Sequence, residues 1–237
     1  MRLPDSLLCL PAASLAILAG SQVACAATPV ESGIQLQARA DFSSEAPSAD
    51  ARAVADWVVA SRDNGGLPFL IVDKLGARLF LFDPRGRVRA AAPVLLGLAR
   101  GDDSPPGIGD RKLAAIAPDE RITPAGRFVA ARGTNLAGQD IVWIDYAAAI
   151  SLHRATDVKP GLTKRNRLAR LKSNAMPDRR ISHGCVNVSE GFYDRFIRPT
   201  FAGTDGIVYI LPETRSVREQ FHMPAERGGI GGLGRRL

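Results

Sequence analysis

The sequence predicts a mainly β fold, a single β-rich domain with a few short helices, and three observations carry that expectation. Between residues 67 and 212 the apolar residues fall in short runs separated by Gly, Pro, Asn and Asp, the pattern of strands punctuated by turns. Only two stretches show a helical period. The connections between the first three runs are too short for parallel crossovers, so those strands form an antiparallel meander.

The elements follow in order. A helix is expected over 51–62, where Ala51, Val54, Ala55, Val58 and Val59 recur at helical spacing beside Trp57, and Asn64-Gly65-Gly66 ends it. Strands at 67–73 and 77–82 flank Lys74-Leu75-Gly76, and Asp83-Pro84-Arg85-Gly86 turns the chain into a third strand over 87–96. Residues 100–121 carry turn residues and no period, which reads as a long loop. Further strands are expected at 126–132, 141–153 and 206–211. Ser189 is placed as the N-cap of a helix containing Phe192, Tyr193, Phe196 and Ile197. No internal repeat is detectable.

Outside this domain the chain changes character. Arg2, an apolar stretch over 7–18 and the small-x-small Ala24-Cys25-Ala26 read as an export signal covering 1–26; membrane attachment would require lipidation of Cys25. Residues 27–66 read as a linker followed by the short helix, and 213–237 as a flexible C-terminal tail. The chain of 237 residues, 46% hydrophobic and 23% charged, is neither disordered nor collagenous in composition. Three cysteines exclude a disulfide framework. Removal of 1–26 leaves Cys185 as the one thiol of the mature chain.

Ser182-His183-Gly184-Cys185-Val186-Asn187 concentrates the chemistry. A cysteine nucleophile acts as the thiolate, whose pKa falls beside an imidazole or a helix N-terminus, and a helix start is expected just beyond the motif. Gly184 permits a turn that aims consecutive N–H groups at one point, where they would stabilise an oxyanion. His183 is too near in sequence to guarantee good geometry with Cys185, which makes His153, at the end of an apolar strand, the second candidate base. His222 lies in a peripheral stretch. His153, His183, Cys185 and His222 are ligand types for zinc, but no ligand-rich spacing supports a metal site.

Together with His153 and Thr123-Pro124-Ala125-Gly126-Arg127-Phe128, this motif resembles the catalytic domain of L,D-transpeptidases (YkuD-type), bacterial enzymes that cross-link peptidoglycan. The resemblance covers 67–212, including Pro106-Gly107-Ile108-Gly109-Asp110. It implies that Cys185 is the nucleophile, His153 the proton donor and acceptor, and the Arg154 carbonyl the group that holds the His153 tautomer. It also implies that His183, Gly184 and Cys185 supply the oxyanion hole, with Ser182 and Asn187 completing the motif; many members have Arg at the position of Asn187. The implied partners are peptidoglycan stem peptides, with no nucleic acid, no cofactor and no metal, in the periplasm. Resolution of the same thioester by water would instead make an L,D-carboxypeptidase or a peptidase, and a non-catalytic peptidoglycan-binding module is the third reading.

The spacing departs from the family's. His153 and Ser182 are 29 positions apart, about twice the compact form, which places an insertion beside the site. Residues 154–180 hold nine Lys/Arg against two Asp, a balance equal to the whole formal charge of +7. That concentration suggests an anionic partner, with Leu162, Leu168, Leu171 and Met176 as anchors onto the domain.

Overall fold

The computed structural model describes residues 38–157 and 166–225, all within the unit Gln37–Leu237. Its principal strands are β1 (Phe69–Asp73), β2 (Arg78–Phe82), β3 (Val88–Pro93), β5 (Gly126–Thr134), β6 (Asp140–Asp145), β7 (Ile150–Arg154), β9 (Val186–Val188) and β10 (Gly206–Ile210). They form one eight-stranded mixed sheet in the order β3-β2-β1-β10-β5-β6-β7-β9. The short strands β4 (Leu96–Gly97) and β8 (Arg180–Ser182) make a separate parallel ladder. The fold is mainly β, and β1, β2 and β3 are the antiparallel meander that their short connections require.

Strand alternation builds a core on each face of the sheet. Leu70 and Val72 of β1 join Leu81, Val142, Leu152, Val186 and Val208 in one cluster. Phe69 and Ile71 join Phe80, Phe82 and Tyr209 in the other, where the rings of Phe69 and Phe82 stack at 4.6 Å. Helix α1 (Ala49–Ser61) covers this second cluster with Ala51, Val54, Ala55 and Val58. Ser48 Oγ caps α1 by accepting from the Ala51 N–H at 3.1 Å. The chain leaving β3 crosses to the far edge, where Leu95 and Asn187 of β9 exchange backbone hydrogen bonds of 2.8 and 2.9 Å. The sheet therefore curls, and its site-bearing edge is not left unpaired.

Several expectations need correction. The run 141–153 is not one strand: β6 and β7 form a hairpin about residues 146–149, in which the Asp145 carboxylate accepts from the Ala148 N–H at 3.1 Å and Ala149 takes a left-handed φ of 55°. The linker region is partly ordered, since Ala40 and Phe42 are buried against α1 and β2 and Asp41 bridges Arg87. The expected tail is docked over 213–225: Val217 of α5 (Val217–Gln220) and Phe221 are buried, with Phe221 stacked beside Trp57 at 6.2 Å. Ser189 caps a helical segment made of α3 (Glu190–Phe192), a π turn (Tyr193–Ile197) and α4 (Arg198–Thr200). The export signal, residues 27–37, the insertion's 158–165 and the tail's 226–237 lie outside the described residues.

The insertion contains a helix that its periodicity did not predict, α2 (Arg167–Lys172), capped by the Asn166 side chain. Of its expected anchors, Leu171 is buried with Leu95, Ala155 and Ile181, whereas Leu168 and Met176 are exposed and Leu162 lies outside the described residues. Nor are all its cations a solvated face. Arg154 pairs with Asp140 and Asp194, buried Arg179 donates to the Ala77 carbonyl at 3.0 Å, and Arg180 binds Glu213 at 2.6 Å. These arginines cross-link elements of the domain.

Candidate active site

Registry between β6, β7 and β9 assembles the site. Val142, Leu152 and Val186 pair across the three strands and face the core. Their alternates, Ser151 and His153 on β7 and Asn187 on β9, share the opposite face, with His153 directly across from Asn187. Cys185 immediately precedes β9 and is half-buried. Its Sγ lies 3.6 Å from Ser151 Oγ and 3.7 Å from the Ala149 carbonyl oxygen. The helix begins where expected, at Glu190 with Ser189 as its cap, but the strand β9 lies between it and the thiol, so no helix N-terminus adjoins Cys185.

The turn that presents Cys185 is tied to itself and to a buried neighbour. Ser182 Oγ accepts from the Gly184 N–H at 3.0 Å and donates to the Cys185 carbonyl at 2.7 Å. The Gly184 N–H is thereby occupied, and of the three expected oxyanion donors the Cys185 N–H is the one on the thiol's own residue. Gly184 has φ 129°, and a Cβ there would stand 2.7 Å from the Ile122 carbonyl oxygen, so the position needs glycine on two counts. His183 is half-buried in this turn.

His153 is held at both ring nitrogens. Because a carbonyl can only accept, Nδ1–H donates to the Arg154 oxygen at 2.9 Å. In the neutral ring Nε2 then carries the lone pair, and Asn187 Nδ2 donates to it at 2.9 Å. Asn187 Oδ1 in turn accepts from Arg167 of α2 at 3.4 Å. Burial pushes the Cys185 thiol up, but hydrogen bonding and charge from His153, followed by Ser151, outweigh it and bring the thiol below its ordinary value. The imidazole that lowers the thiol pKa is that of His153, on β7, the strand paired with β9. The Arg154 side chain points elsewhere, to Asp140, Asp194 and the Tyr193 ring at 4.2 Å.

A cleft of about 310 Å³ opens beside the 146–149 turn, lined by Asp103, Ser104, Pro106, Pro124, Phe128 and Ala148. It brings the long loop and the Thr123-Pro124-Ala125-Gly126 segment next to the turn that touches the thiol. His222, by contrast, is exposed beyond α5. Among the described residues no group of three or more His, Cys, Asp or Glu is placed to hold a metal ion.

Sequence reading missed three participants. Ser151 had a signal, since it lies two residues before His153 and so shares its strand face. Arg167 and the buried Lys74, described below, had none, because their partners are remote in sequence.

No family model and no curated protein matches the sequence. Among solved structures, the chain is similar to an Enterococcus faecium L,D-transpeptidase, with 16% identity and a TM-score of 0.32 over 61% of this chain and 49% of that one. An L,D-transpeptidase from Xylanimonas cellulosilytica gives 14% identity and a TM-score of 0.36, covering 61% and 60% of the two chains. The helical cell shape determining protein Pgp2 from Campylobacter jejuni gives 12% and 0.39, covering 63% and 49%. The chain thus spans about half the length of the first and third of these.

Proposed function

We propose that the protein is an exported cysteine acyltransferase of the L,D-transpeptidase type acting on peptidoglycan stem peptides. The observation that carries this reading is the His153–Cys185 arrangement: an imidazole fixed by the Arg154 carbonyl with Nε2 as its basic nitrogen, bearing on a half-buried thiol whose pKa it lowers.

The chemistry follows from those atoms. Nε2 exchanges the Asn187 amide for the thiol proton, and Sγ attacks the carbonyl carbon at the L-centre of the donor stem's third residue. The tetrahedral oxyanion takes the Cys185 N–H as a donor. The C–N bond to the terminal D-residue breaks, and the imidazolium returns its proton to the leaving amine. An amine from a neighbouring stem then attacks the thioester and gives its proton to Nε2. The S–C bond breaks, and the thiolate and the new peptide bond remain. The thioester conserves the energy of the broken bond, so the exchange needs no nucleotide.

Intact-mass measurement with a stem tetrapeptide tests the reading. The parent protein should gain an acyl adduct on Cys185 with release of the terminal residue, and an added amine should convert it to cross-linked product. Cys185→Ala should show neither. An undiminished adduct on that variant would refute the assignment, and a tripeptide product that is indifferent to the amine would make the enzyme a hydrolase.

A further inference from the structure

Thr123 belongs to a segment that the mechanism above does not use, yet it is wholly buried and engaged at both of its oxygens. Its Oγ1 accepts from the Gly97 N–H at 2.8 Å and donates to the Gly184 carbonyl at 2.7 Å. Its own carbonyl accepts from Lys74 Nζ at 3.0 Å. The Lys74 ammonium, with a fully buried side chain, also binds Asp102 at 2.7 Å and the Gly101 carbonyl at 2.5 Å, and lies 3.7 Å from Glu213. Asp102 further accepts from the N–H groups of Glu213 and Thr214 at 2.8 Å each. Glu213 is held in turn by Arg180, two residues before Ser182.

The two glycines in contact with this segment agree with a built seat. A Cβ on Gly97 would meet the Arg121 oxygen at 2.3 Å and the Thr123 nitrogen at 2.7 Å, and one on Gly184 would meet the Ile122 oxygen at 2.7 Å. Residues 121–123 are thus gripped between β4 on one side and the thiol-bearing turn on the other, with the Lys74 charge pinning them at one end.

Consequences for the thiol follow from peptide geometry. The Gly184 carbonyl and the Cys185 N–H belong to one planar trans unit and point in opposite directions. A hydroxyl that fixes where the carbonyl points also fixes where the N–H points. We infer that Thr123 is a positioning residue: its hydroxyl orients the Gly184–Cys185 peptide plane so that the Cys185 N–H faces the oxyanion of the bound acyl donor, and the buried Lys74–Asp102–Glu213–Arg180 cluster holds Thr123 in register. This rests on the acyl-transfer reading given above and adds to it a residue that never touches substrate.

Two rates separate this role from general support. Alkylation of Cys185 by iodoacetamide needs the thiolate but no oxyanion donor, whereas acylation by the stem tetrapeptide needs both. Thr123→Val keeps the shape and removes the hydroxyl; Thr123→Ser keeps the hydroxyl. The valine variant should alkylate within about threefold of the parent and lose about 10- to 100-fold in acylation kcat, less than the full loss of an oxyanion donor, with KM little changed. The serine variant should recover most of that loss. Equal acylation by the valine variant and the parent overturns the inference, as does a parallel loss of alkylation and acylation, which would make Thr123 a support for the thiol environment as a whole. A parent that alkylates but accepts no acyl donor overturns the acyl-transfer reading and this inference with it.

Discussion

Replacing Lys74 by Met tests how much the fold depends on one buried cation. Methionine matches the length of the stem and removes the ammonium, so the effect is confined to the head group's partners. The Gly101 and Thr123 carbonyls lose their Lys74 donor, at about 1–3 kcal/mol for each polar atom left unsatisfied. Asp102 keeps Glu213, Thr214 and its other donors but loses the nearest positive charge, 2.7 Å away. Relief of the ammonium's own desolvation works the other way: burial pulls Lys74 below its ordinary pKa despite Asp102 and Glu213. Removing one partner of a buried pair has a net cost of about 3–5 kcal/mol. At about 2–4 °C per kcal/mol for a domain of this size, that is a fall in Tm of roughly 6–20 °C. Urea titration gives the free energy directly, and a Lys74→Met/Asp102→Asn double variant should lose less than the sum of the two singles. A Lys74→Met unfolding free energy within about 1 kcal/mol of the parent, or strict additivity in the double variant, would refute the argument that the cluster is a coupled unit.

Two further outcomes follow from the site and its surroundings. His153→Ala removes the group that offsets burial at Cys185, so the onset of iodoacetamide reactivity should move to higher pH, and acylation should fall by about 10²–10⁴-fold; an unmoved alkylation profile would show that another group activates the thiol. Burial works against the Asp102 carboxylate, but its donors hold it well below the unfolded value of 3.8. Its stabilising contribution is therefore present above pH 4 and lost as the pH falls below that value, and the acid limb of the stability curve should be shallower in Asp102→Asn than in the parent, as read by circular dichroism against pH.

What the sequence revealed and what it hid divide along a physical line. The thiol motif and the meander are local: each is a run of a few residues whose turn chemistry and alternation are visible in order. The 146–149 turn was hidden because Ala147, Ala148 and Ala149 carry none of the usual turn signals, and the Asp145 side chain and a left-handed Ala149 do the turning. That turn matters to the site, since it brings the Ala149 carbonyl to 3.7 Å from the Cys185 sulfur. Lys74 read as one residue of a short connection between strands. Its partners lie 28 and 49 positions away, and no periodicity encodes a charge that is neutralised at that separation. Docking of 213–225 was hidden for the same reason, since Glu213 is held by Arg180 and by the Gly101 N–H across 33 and 112 positions.

The basic insertion shows how composition can mislead about purpose. Counted along the sequence, nine cations between 154 and 180 suggest an electrostatic patch. In three dimensions Arg154 ties β7 to Asp140 and Asp194, Arg179 closes on Ala77, and Arg180 belongs to the buried cluster beneath the thiol-bearing turn. Arg167 reaches inward to Asn187, whose amide occupies the basic nitrogen of His153. Charge removed from those four positions therefore perturbs the fold or the base before it perturbs any docking. A screened, surface attraction to an anionic polymer would instead draw on exposed cations such as Lys172 and would weaken as the Debye length contracts from about 10 Å at 0.1 M salt to about 3 Å at 1 M. The Arg167–Asn187–His153 chain is partly buried and far less screened, so salt dependence distinguishes the two contributions of a segment that composition presents as one.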